Sequence, residues 1–153
     1  MRKVIVSLLA VLAFAPNSYA LHIEGVQTML NEAQLMVTEI DPKDLKTKLD
    51  SDDDFFLIDL RETAQQEHGE IYHIDSFKIT RGYLEFQVEE KIPDKKAKII
   101  VYCCSGKRSL LAAKSLIRMG YKDVLSLKGG IKEWVSKGMP LDTVYGEMIM
   151  KKD

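Results

Sequence analysis

The residues best suited to chemistry lie in one run, Val101-Tyr102-Cys103-Cys104-Ser105-Gly106-Lys107-Arg108-Ser109. A thiolate is a nucleophile, and a thiol ionises readily where backbone N–H groups and positive charge converge. Gly106 can take a positive φ, which lets successive N–H groups turn inward. Arg108 offers a planar, two-pronged donor for an oxyanion, and Lys107 adds a second cation. The pattern predicts Cys103 as a stabilised thiolate nucleophile in a loop that gathers free N–H groups.

Such a loop needs a strand to deliver the cysteine and a helix to supply amides. Lys98-Ile99-Ile100-Val101-Tyr102 is short, β-branched and aromatic, as a strand buried on both faces would be. Ser109 to Met119 carries apolar residues at three- and four-residue steps and reads as a helix, with Gly120 placed to cap its end. A strand-to-helix loop gathers unpaired N–H groups and the positive end of the helix dipole.

The other elements alternate in the same way. Val37 to Ile40 reads as a strand, and Asp41-Pro42-Lys43-Asp44 as a helix start with Leu45 and Leu49 inward. Phe55 to Leu60 is a second buried strand, followed by a helical turn or two from Thr63 to His68. Phe77 to Ile79 suggests a strand, and Tyr83 to Lys91 a helix with Leu84 and Val88 inward. Asp123 to Leu127 is a strand, and Ile131 to Lys137 a helix, with Trp134 a core residue. The fold class predicted is α/β: one domain, a mostly parallel sheet with helices on both faces, and ligands outside the carboxyl ends of the strands.

Residues 1 to 20 have a basic start (Arg2, Lys3), an apolar run from Val4 to Ala15 and small residues at Ser18 and Ala20. They read as a secretory signal peptide cleaved near Ala20. The apolar run is too short to span a bilayer, so no stable membrane anchor is expected and the location is periplasmic or secreted. Residues 21–36 follow as an arm or short helix, with Val26, Leu30 and Ala33 at helical spacing. The domain covers 37–141, and 142–153 form a tail. Without residues 1 to 20 the chain has 20 basic and 23 acidic residues, a net charge of −3, which argues against a nucleic-acid partner. The two cysteines are adjacent, and a bridge between neighbours does not suit disulfide geometry. His22, His68 and His73 lack metal-ligand spacing, so neither metal nor other cofactor is expected.

Residues 37 to 141 resemble a single-domain rhodanese, a thiosulfate sulfurtransferase. The resemblance is carried by Asp59-Leu60-Arg61-Glu62, Arg81-Gly82-Tyr83-Leu84-Glu85-Phe86 and the Cys103 to Ser109 loop. Met119-Gly120-Tyr121-Lys122-Asp123-Val124, Gly129-Gly130-Ile131-Lys132-Glu133-Trp134 and Gly138-Met139-Pro140 complete it, in order. One stretch departs from the pattern. Where the family has Gly-His-Ile-Pro-Gly-Ala, this chain has Gly69-Glu70-Ile71-Tyr72-His73-Ile74-Asp75-Ser76, which can be registered on Gly69-Glu70-Ile71 or on His73-Ile74.

The resemblance implies that Cys103 forms a persulfide and that Cys104, Ser105, Gly106, Lys107 and Arg108 cradle the substrate. Arg81 could reach the anion or form a structural ion pair, and Asp59 and Arg61 are a supporting pair. The expected function is transfer of sulfane sulfur from thiosulfate or a related anionic donor, such as polysulfide, to cyanide, a thiol or a protein acceptor. A sulfur carrier with little turnover of its own is the alternative. A phosphatase or arsenate reductase is disfavoured, because the loop is one residue shorter than in the cell-cycle phosphatases of this fold. Cys104 is read as a bystander that contributes its N–H. Donor, acceptor and oligomeric state stay open.

Overall fold

A computed structural model describes residues 18–51 and 53–150. Five short strands form one sheet: β1 (Thr38–Ile40), β2 (Phe56–Asp59), β3 (Ser76–Lys78), β4 (Lys98–Tyr102) and β5 (Asp123–Leu127). Their order is β1-β5-β4-β2-β3 and every pairing is parallel. Parallel neighbours need crossover connections, and four helices supply them: α2 (Pro42–Asp50), α3 (Thr63–Gln66), α4 (Leu84–Lys91) and α5 (Lys107–Arg118), while α1 (Ser18–Gln34) precedes the sheet and α6 (Gly130–Ser136) follows it. The α/β class expected from the sequence is the one observed.

Side chains alternate across a strand, so central β4 feeds two separate cores. Ile99 and Val101 join Leu30 and Ala33 of α1, Val88 of α4 and Leu110, Ala113 and Leu116 of α5. Ile100 and Tyr102 face the other way, onto Leu45 of α2 and Ile131 and Trp134 of α6. Because all five strands run in one direction, their carboxyl ends gather along one edge, and Cys103 follows β4 there.

Local signals explain the element starts. Asp41 accepts from the Lys43 N–H at 3.0 Å and Pro42 opens α2, as a side-chain cap and a first-turn proline do. A 3-10 turn, Arg81–Tyr83, leads into α4, where Leu84 and Val88 are buried. The helix after Cys103 begins at Lys107, two residues before the predicted Ser109, because Gly106 takes a left-handed φ of +84° and caps it.

Other expectations are revised. The arm at 21–36 is the greater part of α1, which begins at Ser18. Leu30 and Ala33 enter the core while Val26 stays 47% exposed. The basic and apolar part of the expected signal peptide lies outside the described residues. The expected tail carries a hairpin, β6 (Leu141–Thr143) with β7 (Gly146–Met148). Leu141 is buried, and Asp142 exchanges backbone hydrogen bonds with Glu70 at 2.8 and 2.9 Å. Neither Leu141-Asp142-Thr143 nor Gly146-Glu147-Met148 carries a β-branched or apolar run that would mark it as a strand in the sequence. In the divergent stretch, Ile71 is buried and Ile74 is 79% exposed.

Candidate active site

Cys103 is 1% exposed, at the point where β4 gives way to the loop. Its Sγ accepts the Ser109 N–H at 3.4 Å. Cys104 is half-buried, and both thiols are free. The loop is closed on the α5 side by a chain of hydroxyls: Ser126 on β5 donates to Ser109 Oγ at 3.0 Å, and Ser109 donates to the Gly106 carbonyl at 2.9 Å. Leu110 N–H reaches the same carbonyl at 2.9 Å.

The other side of the loop is held by α6. Ile131 N–H donates to the Cys103 carbonyl at 2.9 Å and Lys132 N–H to the Cys104 carbonyl at 3.1 Å. In a trans peptide the N–H points away from the C=O of the same unit. Holding these two carbonyls on α6 therefore turns the amides of Cys104 and Ser105 in the opposite direction. Neither those amides nor that of Gly106 has an acceptor among the described residues. Gly130 makes the approach feasible: its φ is +61°, and a Cβ there would stand 2.4 Å from the Cys103 oxygen.

The first turn of α5 contains Lys107 and Arg108 and no acid. Cations at a helix N-terminus oppose its dipole, so this end of the loop favours an anion. Lys107 is exposed and takes part in no ion pair among the described residues. Arg108 is differently placed from the expectation of a fork aimed at substrate. Its Nη1 donates to Glu62 at 2.8 Å and its Nη2 to the Gln65 side chain at 3.3 Å, tying the loop to α3. Ser105 is exposed at the rim.

Asp59 and Arg61 form the buried pair expected of them. Arg61 donates through Nη2 to Asp59 Oδ2 at 2.6 Å and through Nε to both oxygens at 3.0 Å. It also reaches the carbonyls of Gln65 (3.0 Å) and Gly69 (2.7 Å). Tyr102 donates to Asp59 at 2.9 Å and accepts from Ile71 N–H at 3.3 Å. Burial, and then the Asp59 charge, push the Tyr102 phenol well above its ordinary range, so it stays a donor. Burial alone would lower Arg61, but the Asp59 bonds outweigh it and the net direction is up. This network braces Tyr102, and hence the residue that follows it.

Arg81 does not join the loop. It pairs with Glu85 at 2.9 Å and donates to Ser115 Oγ at 3.3 Å. Ser115 lies roughly 12 Å along α5 from Lys107 at 1.5 Å per residue. Of its two expected roles, Arg81 takes the structural one. Sequence reasoning missed Ser109, Ser126 and Gly130 as loop supports. Gly129-Gly130 was visible as a motif, but a serine inside a strand gives no comparable signal.

A rhodanese-like domain model matches residues 41–137. A sulfurtransferase of Allochromatium vinosum is 36% identical over 106 residues, spanning 69% of this chain and 95% of that protein. A thiosulfate sulfurtransferase of Haemophilus influenzae is 32% identical over 90 residues, 58% of this chain and 81% of its own. Among solved structures, a Rhodopseudomonas palustris protein of unknown function, put forward as a candidate tyrosine phosphatase, superposes with a TM-score of 0.67. It is 33% identical and the match covers 76% of this chain and 93% of that one. A polysulfide-sulfur transferase homodimer of Wolinella succinogenes gives 0.69 at 24% identity over 82% and 93% of the two chains, a likeness of fold alone.

Proposed function

The chain belongs to the rhodanese-like domain family, with sulfurtransferase relatives, and we propose that it moves sulfane sulfur from thiosulfate through a persulfide on Cys103. The observation that carries this reading is the loop. A buried thiol accepts the Ser109 N–H, beside loop amides of Cys104, Ser105 and Gly106 that have no acceptor among the described residues, at a helix N-terminus bearing two cations. In the first step the Cys103 thiolate attacks the outer sulfur of thiosulfate. The bond between the two thiosulfate sulfurs breaks, and its electron pair leaves with sulfite. In the second step a nucleophilic acceptor, cyanide or a thiolate, takes the terminal sulfur and the pair returns to Cys103. Preorganised N–H groups stabilise the terminal sulfur's negative charge without reorganising during the reaction. Asp59, Arg61 and Tyr102 act as positioning residues.

Four residues separate Cys103 from Arg108. That short span, and the engagement of Arg108 by Glu62 and Gln65, favour attack on sulfur over a phosphoryl group. Transfer takes place outside the cytoplasm, following export and cleavage near Ala20. N-terminal sequencing of exported material starting near Leu21 supports that location; Met1 retained in a cytosolic fraction refutes it.

The deciding experiment is mass spectrometry after thiosulfate treatment, paired with a cyanide turnover assay. Wild type gains one sulfur and turns over with the parallel initial-rate lines of a two-step mechanism. Cys103→Ser gains no sulfur, since a hydroxyl neither ionises nor stores sulfur as a thiol does. Cys104→Ser still loads and loses only a modest factor in rate. Loading without turnover indicates a carrier, and loading on Cys104 instead of Cys103 overturns the assignment.

A further inference from the structure

A cleft opens beside the loop, between α1 and the start of α5. Its volume is about 190 Å³, and its lining includes Gln27, Leu30, Gln34, Glu39, Lys107 and Leu110, with the loop backbone at Ser105 and Gly106. Ligand pockets for drug-sized molecules span roughly 300–1,000 Å³, so an occupant here is smaller, on the scale of an amino-acid thiol. The α1 wall and Glu39 precede residue 41, where the family match begins.

The lining has a definite chemical character. Leu30 and Leu110 give an apolar floor that continues the core. Gln27 and Gln34 bring neutral amides. Glu39 on β1 and Lys107 at the α5 N-terminus bring opposite charges to one cavity, and neither is in an ion pair among the described residues. Glu39 pairs in register with Ser126, whose hydroxyl chain fixes Gly106. The acidic residue and the loop are thereby held to one another. α1 itself is anchored by Leu30, Ala33 and the Lys114–Glu32 ion pair at 2.7 Å.

We propose that this cleft is the acceptor subsite, and that it selects a small thiol carrying both an ammonium and a carboxylate group. The proposal rests on the persulfide reading of Cys103. Glu39 faces the ammonium, Lys107 the carboxylate, and the apolar floor the methylene between thiol and backbone. The acceptor thiolate attacks the terminal sulfur of the persulfide. The bond from that sulfur to Cys103 breaks, its electron pair stays on the Cys103 sulfur, and the acceptor's own proton passes to water. The products are the acceptor persulfide and free Cys103 thiolate.

The test uses the sulfur-loaded protein, prepared with thiosulfate or inorganic polysulfide, and follows loss of the adduct by mass spectrometry. Cysteine is compared with 3-mercaptopropionate, which lacks the ammonium, and with cyanide, which needs no cleft. In Glu39→Gln the second-order rate for cysteine falls two- to fivefold, the scale of an accessible ion pair. The rates for 3-mercaptopropionate and cyanide stay at wild-type values. A variant that slows cysteine and 3-mercaptopropionate alike, or neither, overturns the cleft proposal while cyanide stripping still upholds the persulfide. A protein that never loads overturns both.

Discussion

Gly130→Ala puts the strongest demand on the reading of the loop. A Cβ at this position would lie 2.4 Å from the Cys103 oxygen, 2.7 Å from the Gly106 nitrogen and 2.8 Å from the Cys104 carbonyl carbon. Ordinary van der Waals contact starts at 3.4 Å, so α6 and the loop must part by about 1 Å. The atoms met are backbone, and no rotamer change relieves them. Left-handed backbone adds about 1–2 kcal/mol for alanine, and overpacking about 1–3 kcal/mol. Together they amount to roughly 2–5 kcal/mol, read as a shift of the urea midpoint. The same displacement moves the amides around Cys103, and a shift of this size costs on the order of 10²-fold in rate. Gly120→Ala is the control: its φ is +99° with open space around it, so it bears only the conformational cost of about 1–2 kcal/mol and loads sulfur normally. If Gly130→Ala unfolds and loads like Gly120→Ala, the docking of α6 does not shape the loop.

Asp59→Asn leaves the Arg61 guanidinium buried beside a neutral amide, and the loss of stability expected is about 3–5 kcal/mol, measured by chemical denaturation. A change below about 1 kcal/mol would mean that the carbonyls of Gln65 and Gly69 suffice for Arg61. The Lys114 hydrogen bond and charge hold the Glu32 carboxyl below its ordinary value of 4.5. A lowered folded-state value contributes stability that is present above the unfolded value and lost as pH falls through the folded one. Amide exchange along α1, corrected for intrinsic rates, is therefore expected to be slow at about pH 6 and faster at about pH 3; equal protection at both would dismiss the pair as an anchor.

Much of the site was legible because its signals are local. Gly106 and the β-branched run of β4 each act within a few residues, and they placed the thiol at a strand-to-helix junction, as Pro42 placed the start of α2. Start and end positions shifted by a residue or two where capping decided them, as at Lys107. What escaped depends on partners distant in sequence. Arg108 reads as a substrate fork until Glu62 and Gln65 are folded against it. Arg81 reaches Ser115, far along the chain, in addition to its near neighbour Glu85. The β6–β7 hairpin relies on a bridge to Glu70, and its short strands carry no pattern of their own. Ser126 is polar in a buried strand, which sequence alone assigns to an exposed face.

The two cores also bear on the size of the loop. α5 belongs to one side of the sheet and α6 to the other, yet both grip the same few peptide units, α5 at Gly106 and α6 at the carbonyls of Cys103 and Cys104. The loop is thus a keystone seated between two abutments. Its span is set by how far apart the sheet keeps those helices, and an extra residue has no slack to occupy unless an abutment yields. On the proposed persulfide route, selectivity for the atom that Cys103 would attack is in this sense a property of the whole layered architecture, written into the spacing of its helices as much as into the loop residues themselves.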